Sequence, residues 1–329
     1  MTPSLGSSGL VIGDVQMRNR VVLAPMAGLS DAPMRRLAWQ FGAGWTVGEM
    51  VSSSAALWDT AKSSARRQNL PDSGPRVVQI AGSEPQALAE IAMRHADEGA
   101  QIIDINFGCP AKKVCRKAAG SALLEEPELV GRIVERVVSA VGVPVTAKMR
   151  TGPAPERRNG VEVAQIIEAA GAQALTVHGR TRACRFRGPV EYDTVRAIKQ
   201  SISIPVIANG DITSRAQAEA VAQATGVDGI MVGRAAVGQP WLLGEIAGQP
   251  TPTRAARWEA ALEQVQGSAD LYGLRTGYRV VRKHVERYLV LLGADGAVRA
   301  FNRLESTAAQ LRYLRELMDR DTNWGRKTA

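Results

Sequence analysis

Eight short runs rich in apolar and β-branched residues recur along the first three quarters of the chain, separated by segments with helical periodicity. In order they read VVLAPM (residues 21–26), WTVGEM (45–50), RVVQIAG (76–82), IIDINFG (102–108), PVTAKMR (144–150), ALTVHGR (174–180), PVIANGD (205–211) and GIMVGRA (229–235). Among the intervening segments, LAEIAMRHADEGA puts Leu88, Ile91, Ala92 and Ala96 on one helical face, and ELVGRIVERVVSAVG does the same with Leu129, Val130, Ile133, Val134 and Val137. Ser30, Ser83 and Thr213 stand where helices should start, and Gly44, Gly99, Gly171 and Gly226 where they should stop. Eight alternating units match the count of a (β/α)8 TIM barrel, and their span matches its size of about 250 residues. An open doubly wound sheet is the alternative; it usually shows a GxGxxG turn, which is missing here.

The strand signal stops after residue 245. We expect an α/β barrel over residues 1–245, a linker over 246–254 and a small all-helical domain over 255–329, where the apolar residues of RWEAALEQVQGSADLY, YRVVRKHVERYLVLL and NRLESTAAQLRYLRELM recur at helical steps. No run approaches the roughly twenty apolar residues of a membrane span, and no basic-then-apolar leader opens the chain, so a cytoplasmic protein without membrane contact is expected. Cys109, Cys115 and Cys184 are too few and too unevenly spaced for a disulfide framework or a structural metal site, and no metal is expected. Lysine plus arginine outnumber aspartate plus glutamate by 41 to 32, a net charge of +9. Residues 251–329 hold 14 basic against 9 acidic residues, so over half of the surplus lies in the helical quarter. Such a balance favours a polyanionic partner, nucleic acid first, with solubility as the plain alternative.

In a barrel, the carboxyl ends of the strands line one mouth, where barrel enzymes keep their chemistry. Those ends carry Met26, Ala27, Glu49, Gln79, Asn106, Cys109, Lys148, Arg150, His178, Arg180, Asn209, Asp211, Gly233 and Arg234. A purely structural barrel has little reason to ring one rim with lysine, histidine, asparagine and cysteine. Gly210 and Gly233 follow the last two strands, where turns often cradle a phosphate with backbone N–H groups, and Arg234 adds a charge; tight turns alone would also account for both glycines. Lys148 either pairs with Glu49 or Asp104 or stands beside the N1 and C2 carbonyl of a flavin. His178 either bonds a ring oxygen or phosphate or is a core histidine.

Together APMAGLSDAPMR, GEMVSS, VQIAGS, DINFGCPAKKV, AGSALL, KMRTG, TVHGRTRA, IANGDI and MVGRAA resemble the tRNA-dihydrouridine synthase family, its bacterial B-type most of all. The likeness runs in motif order from about Arg18 to Glu245 and more loosely through YRVVRKHVERYL. It implies a flavin barrel that uses FMN and NADPH to reduce the C5=C6 bond of a D-loop uridine in tRNA. Carried over position by position, Pro25, Met26 and Ala27 lie along the flavin. Gln79, Lys148 and His178 contact its ring system, and Asn209, Gly210, Asp211, Gly233 and Arg234 form the ribityl and phosphate end.

Cys109 takes the place of the catalytic cysteine, giving a proton to C5 while hydride reaches C6 from flavin N5. A thiol with a pKa of about 8.5 is mostly protonated at neutral pH, so it can serve as a general acid. Asn106 orients the base or flavin. Arg150, Arg180, Lys112, Lys113, Arg116, Arg282 and Lys283 are expected on the RNA, with Lys117 and the run Arg279, His284 and Arg287 beside them. Cys115 departs from the family pattern, which has asparagine there, and receives no catalytic role. A monomer is expected. The competing readings are a dihydroorotate dehydrogenase-like enzyme acting on a free pyrimidine and a non-catalytic tRNA-binding module.

Overall fold

Nine parallel strands form the main sheet of the computed structural model, which describes residues 4–7, 9–53, 58–70, 73–115 and 119–327, with 62, 112, 113 and 322–327 as backbone only. Before it comes a hairpin of β1 (Val11–Ile12) and β2 (Val15–Gln16) that the strand pattern did not show. The main sheet comprises β3 (Val21–Leu23), β4 (Trp45–Thr46), β5 (Val51–Ser52), β6 (Val77–Ala81), β7 (Ile102–Phe107), β8 (Val145–Arg150), β9 (Ala174–His178), β10 (Val206–Asn209) and β11 (Gly229–Val232). Its order is β4-β3-β11-β10-β9-β8-β7-β6-β5.

The two edge strands are the two ends of one stretch of chain. The run expected as a single strand over 45–50 is split: β4 pairs with β3, β5 pairs with β6, and Val47 bridges to Val77 between them. Gly48 N–H bonds to Val77 O at 3.0 Å, which closes the cylinder. The ladder breaks where the buried Glu49 carboxylate accepts the Gly28 N–H and lies 3.6 Å from Arg66 Nε. A carboxylate needs these donors once it is taken out of water.

The barrel helices are α1 (Ala32–Gln40), α2 (Ala61–Arg67), α3 (Pro85–Asp97), α4 (Lys112–Cys115), α5 (Pro127–Val138), α6 (Gly160–Ala169), α7 (Asp193–Ser201), α8 (Arg215–Thr225) and α9 (Leu242–Ile246). Three start one residue later than the sequence signals suggest. Asp31, Glu84 and Ser214 are the caps, because their side-chain oxygens accept first-turn N–H groups of Met34, Gln86 with Ala87, and Gln217. Leu10, Ile12 and Met17 of the hairpin region join Val22, Trp45, Val77, Ile102, Ala174, Ile207 and Met231 in an apolar plug at the amino ends of the strands.

Past the barrel come α10 (Arg254–Tyr272), α11 (Leu274–Val280), α12 (Arg282–Leu291), α13 (Val298–Phe301) and α14 (Thr307–Lys327). Trp258, Tyr288, Phe301 and Leu314 form their centre, and the same cluster takes in Leu37 of α1 and Trp241. Arg36 pairs with Glu263 at 2.9 Å and Tyr272 donates to Asp31 at 3.2 Å, which seats α10 against α1. Trp258 is 1% exposed and its indole N–H reaches Asp321 at 2.8 Å. Trp258→Ala is expected to lower unfolding free energy by about 3–5 kcal/mol, read from urea denaturation of the full chain.

Candidate active site

Register decides what faces the barrel interior. Gln79 lies opposite Asp104, and Asp104 opposite Thr146. One layer up, Asn106 is level with Lys148 and Lys148 with Thr176. At the top, Arg150, His178 and Asn209 form a row across β8, β9 and β10. Successive strand residues alternate in direction, so aligned partners in parallel strands all point inward together.

Above these layers opens a cavity of about 820 Å³. Pro25, Met26, Ala27, Gln79, Asn106, Cys109, Lys148, Arg150, His178, Asn209, Gly210, Asp211, Gly233 and Arg234 all line it, so fourteen of the site residues named from sequence meet in one place. Arg180 does not. It is 3% exposed, donates to the Gly188 carbonyl and forms a bidentate pair with Asp211. Asp211 has φ +44° and its carboxylate also takes Arg234 Nη2 at 2.9 Å; the hydrogen bond from Arg180 holds its pKa below the ordinary value. Its negative charge is thus offset by two guanidinium groups beside the glycine turns.

The polar atoms at the floor have defined roles. Asn209 Nδ2 donates to Met231 O at 2.8 Å, which turns Oδ1 toward Lys148 Nζ (3.2 Å) and His178 Nδ1 (2.9 Å). Lys148 therefore bonds an amide; Glu49 is committed to Gly28 and Arg66, and Asp104 acts on the ammonium only through its charge. Burial and the Lys148 and Arg150 charges pull the His178 pKa down to about 3, so the ring is neutral. Since Asn209 Oδ1 can only accept, Nδ1 carries the hydrogen and Nε2 is a bare acceptor, buried and without a partner among the described residues. A neutral His178 therefore accepts an N–H or O–H from a ligand rather than donating to a ring oxygen.

Arg150 is 2% exposed, and its Nε and Nη1 donate to three carbonyls: Gly108 at 2.8 Å, Thr181 at 3.0 Å and Arg185 at 2.7 Å. It ties the Cys109 loop to the loop after β9. Cys109 is half-buried, and burial raises its pKa, so the thiol is protonated at neutral pH. Its carbonyl accepts Ser121 Oγ at 2.9 Å and Cys115 Sγ at 3.6 Å, and the Cys115 thiol also lies 3.9 Å from Ser121 Oγ.

Of the basic residues expected on RNA, Arg116 and Lys117 lie outside the described residues, and Lys112 and Lys113 are placed only as backbone of α4. Arg282 is not among the lining residues of the cavity and donates to Leu304 O at 3.0 Å, and His284 is fully buried and neutral, its pKa lowered to about 3 by burial. Lys283 and Arg287 take the mouth side of α12: Lys283 Nζ would stand 3.2 Å from a methyl group on Gly28, and Arg287 lines the cavity. Arg185 and the 54%-exposed Phe186 also line it. They belong to RACRFRG, beyond the strand end where the sequence pattern gave no direction; an aromatic between arginines was the available signal.

A closed parallel barrel gathers a protonated thiol, an ammonium and two glycine turns around one mouth, an arrangement that suits proton transfer beside a bound anion. Two solved structures share the fold at low identity. The old yellow enzyme homologue of Zymomonas mobilis superposes with TM-score 0.54 at 16% identity, over 72% of this chain and 90% of that one. TcOYE with pHBA gives 0.56 at 12%, over 75% and 93%. The dihydrouridine synthase family matches residues 22–322. tRNA-dihydrouridine synthase B of Salmonella typhimurium and that of Escherichia coli K12 are each 51% identical over 312 residues, covering 92% of this chain and 97% of theirs. The chain belongs to the dihydrouridine synthase family, in its bacterial B-type group. Among the described residues no helix is long and apolar enough to cross a membrane.

Burial, then Arg150, lowers the Lys148 pKa to about 8. The unfolded chain keeps that proton to higher pH, so between about 8 and 10.5 it binds more protons and this group adds stability as pH rises. Wild type should therefore gain stability over Lys148→Met across that window, measured by urea unfolding at its two ends.

Proposed function

We propose that this chain reduces the C5=C6 bond of a D-loop uridine in tRNA, with FMN bound in the cavity and NADPH as reductant. One observation carries the reading: Cys109, Lys148 and the turns at Gly210 and Gly233 line a single cavity whose rim receives Arg287 from α12. The relatives' names supply tRNA as the substrate class.

The lining fits a flavin. His178 Nε2 is an orphaned buried acceptor, suited to an N–H or O–H of the ligand. Pro25, Met26 and Ala27 give a largely apolar wall, and Gln79 and Lys148 offer donors to ring carbonyls. Asn209 holds Lys148 and His178 in place. The turns at Gly210 and Gly233 offer backbone N–H groups to a phosphate, and Arg234 adds charge while Asp211 is neutralised by Arg180. When bound, FMN supplies the hydride for C6.

Cys109 holds the proton for C5 on its thiol, and the charges of Arg150 and Lys148 favour the thiolate left behind. Lys283 and Arg287 neutralise phosphates at the rim while one base turns into the mouth, with residues 255–329 as the tRNA-binding domain and Asn106, Arg150 and Phe186 near the base. An enzyme for a free pyrimidine would leave that basic rim without a role.

Mass-spectrometric mapping of tRNA from a deletion strain tests the reaction. Wild type should restore dihydrouridine at one D-loop position, and Cys109→Ala should slow its formation about 10²–10⁴-fold while NADPH still bleaches the flavin. Full restoration by the variant overturns the thiol's role. In equilibrium binding, Lys283→Gln with Arg287→Gln should lower the slope of log affinity against log salt by about 2. An unchanged slope would remove α12 from the RNA surface.

A further inference from the structure

Behind the cavity floor runs a line of hydrogen bonds that none of these roles uses. Thr146 Oγ1 donates to Asp104 Oδ1 at 2.7 Å, and Gln79 Nε2 donates to Asp104 Oδ2 at 2.7 Å. Asn106 Nδ2 donates to Gln79 Oε1 at 2.7 Å. Asn106 Oδ1 then accepts the N–H groups of Gly108 at 3.0 Å and Cys109 at 2.9 Å. Asp104 is 4% exposed and is not part of the cavity lining.

A side-chain amide is nearly symmetric in shape. Turning it over exchanges nitrogen and oxygen at constant volume, so packing cannot choose between the two orientations. Here the ends of the line choose. The N–H groups of Gly108 and Cys109 can only donate, which demands oxygen from Asn106; Asp104 Oδ2 accepts in either protonation state, since a carboxyl proton can be held on Oδ1 toward the Thr146 hydroxyl, which demands nitrogen from Gln79. With both ends set, each amide has one orientation that leaves no donor facing a donor. Without an acceptor at 104, Gln79 is free to turn its nitrogen toward Asn106, and Asn106 must then turn or withdraw from the Cys109 loop.

We propose that Asp104 is a positioning residue: its carboxylate sets the hydrogen-bond polarity of Gln79 and Asn106, seats the loop that carries the Cys109 thiol, and leaves the second N–H of each amide for the cavity. Donors so placed suit a ring bearing carbonyl oxygens, such as a uracil or a flavin. That last part rests on the proposed function, and the seating of the loop does not.

Burial favours the neutral form of Asp104, opposed by the bonds from Thr146 and Gln79 and by the charge of Lys148. The carboxyl therefore sits where a simple structural account would place an apolar side chain, which supplies the contrast for a test. Hydrogen exchange by mass spectrometry on the full-length protein as purified reads the loop in the peptide spanning residues 105–111, where Pro110 has no N–H to exchange.

Asp104→Asn keeps an oxygen for Gln79 while its nitrogen faces the Thr146 hydroxyl, so exchange there should stay within about two-fold of wild type. Asp104→Val should speed it on the order of ten-fold and leave peptides of β9 and β10 unchanged. Thr146→Val leaves Gln79 anchored and should keep the loop protected, which carries the test if Asp104→Val does not fold. Unchanged exchange in Asp104→Val, equal loss in Asp104→Asn, or loss in Thr146→Val would each overturn the proposal. Exchange is read without turnover, so its outcome is separable from success or failure of the tRNA assay.

Discussion

Closure of the sheet on itself is the constraint from which the site follows. Once Val47 reaches Val77, every second side chain of the strands points into a space with no exit except the mouth. The amino end fills that space with Trp45, Met17, Met231 and their neighbours, as hydrophobic burial requires. Toward the carboxyl end the inward positions are Gln79, Asp104, Thr146, Asn106, Lys148, Arg150, His178 and Asn209. Polar groups so confined must satisfy each other or a ligand. Most satisfy each other; His178 Nε2 does not, and it lines the cavity.

The charges at the mouth follow the same economy. Arg150 and Arg180 are arginines by sequence but structural ties by geometry, with guanidinium groups turned onto carbonyls and, for Arg180, onto Asp211. A planar fork with five donors suits such bridging better than a lysine would. Among the described residues, exposed charge at the mouth comes from Lys283 and Arg287 of the helical segment, from Arg185, and from Arg234 beside the glycine turns.

Strand count, barrel closure and the convergence of Cys109 with Lys148 were legible because period-two alternation and strand ends are local properties of a chain. What was not legible depends on a second piece of chain. The basic run from Arg279 to Arg287 looked uniform, yet helical rotation and the packing of α12 bury His284, turn Arg282 onto Leu304 and leave Lys283 and Arg287 toward the mouth. Asp211 and Arg180 both stood at strand ends as ligand candidates; only their adjacency across β9 and β10 shows that they hold each other. The break at Glu49 likewise needed Gly28 and Arg66 to be seen beside it. Phe186 lay past the last ordered strand position, where alternation no longer assigns a direction.

Leu37 of α1 and Trp241 of the last barrel unit share one apolar cluster with Trp258, Tyr288 and Phe301. The cylinder and the helical segment are therefore joined by a continuous apolar seam, so neither buries its own surface fully without the other. The seam also means that grafting the helical segment of a relative onto this cylinder requires transplanting the matching face of the first helix with it.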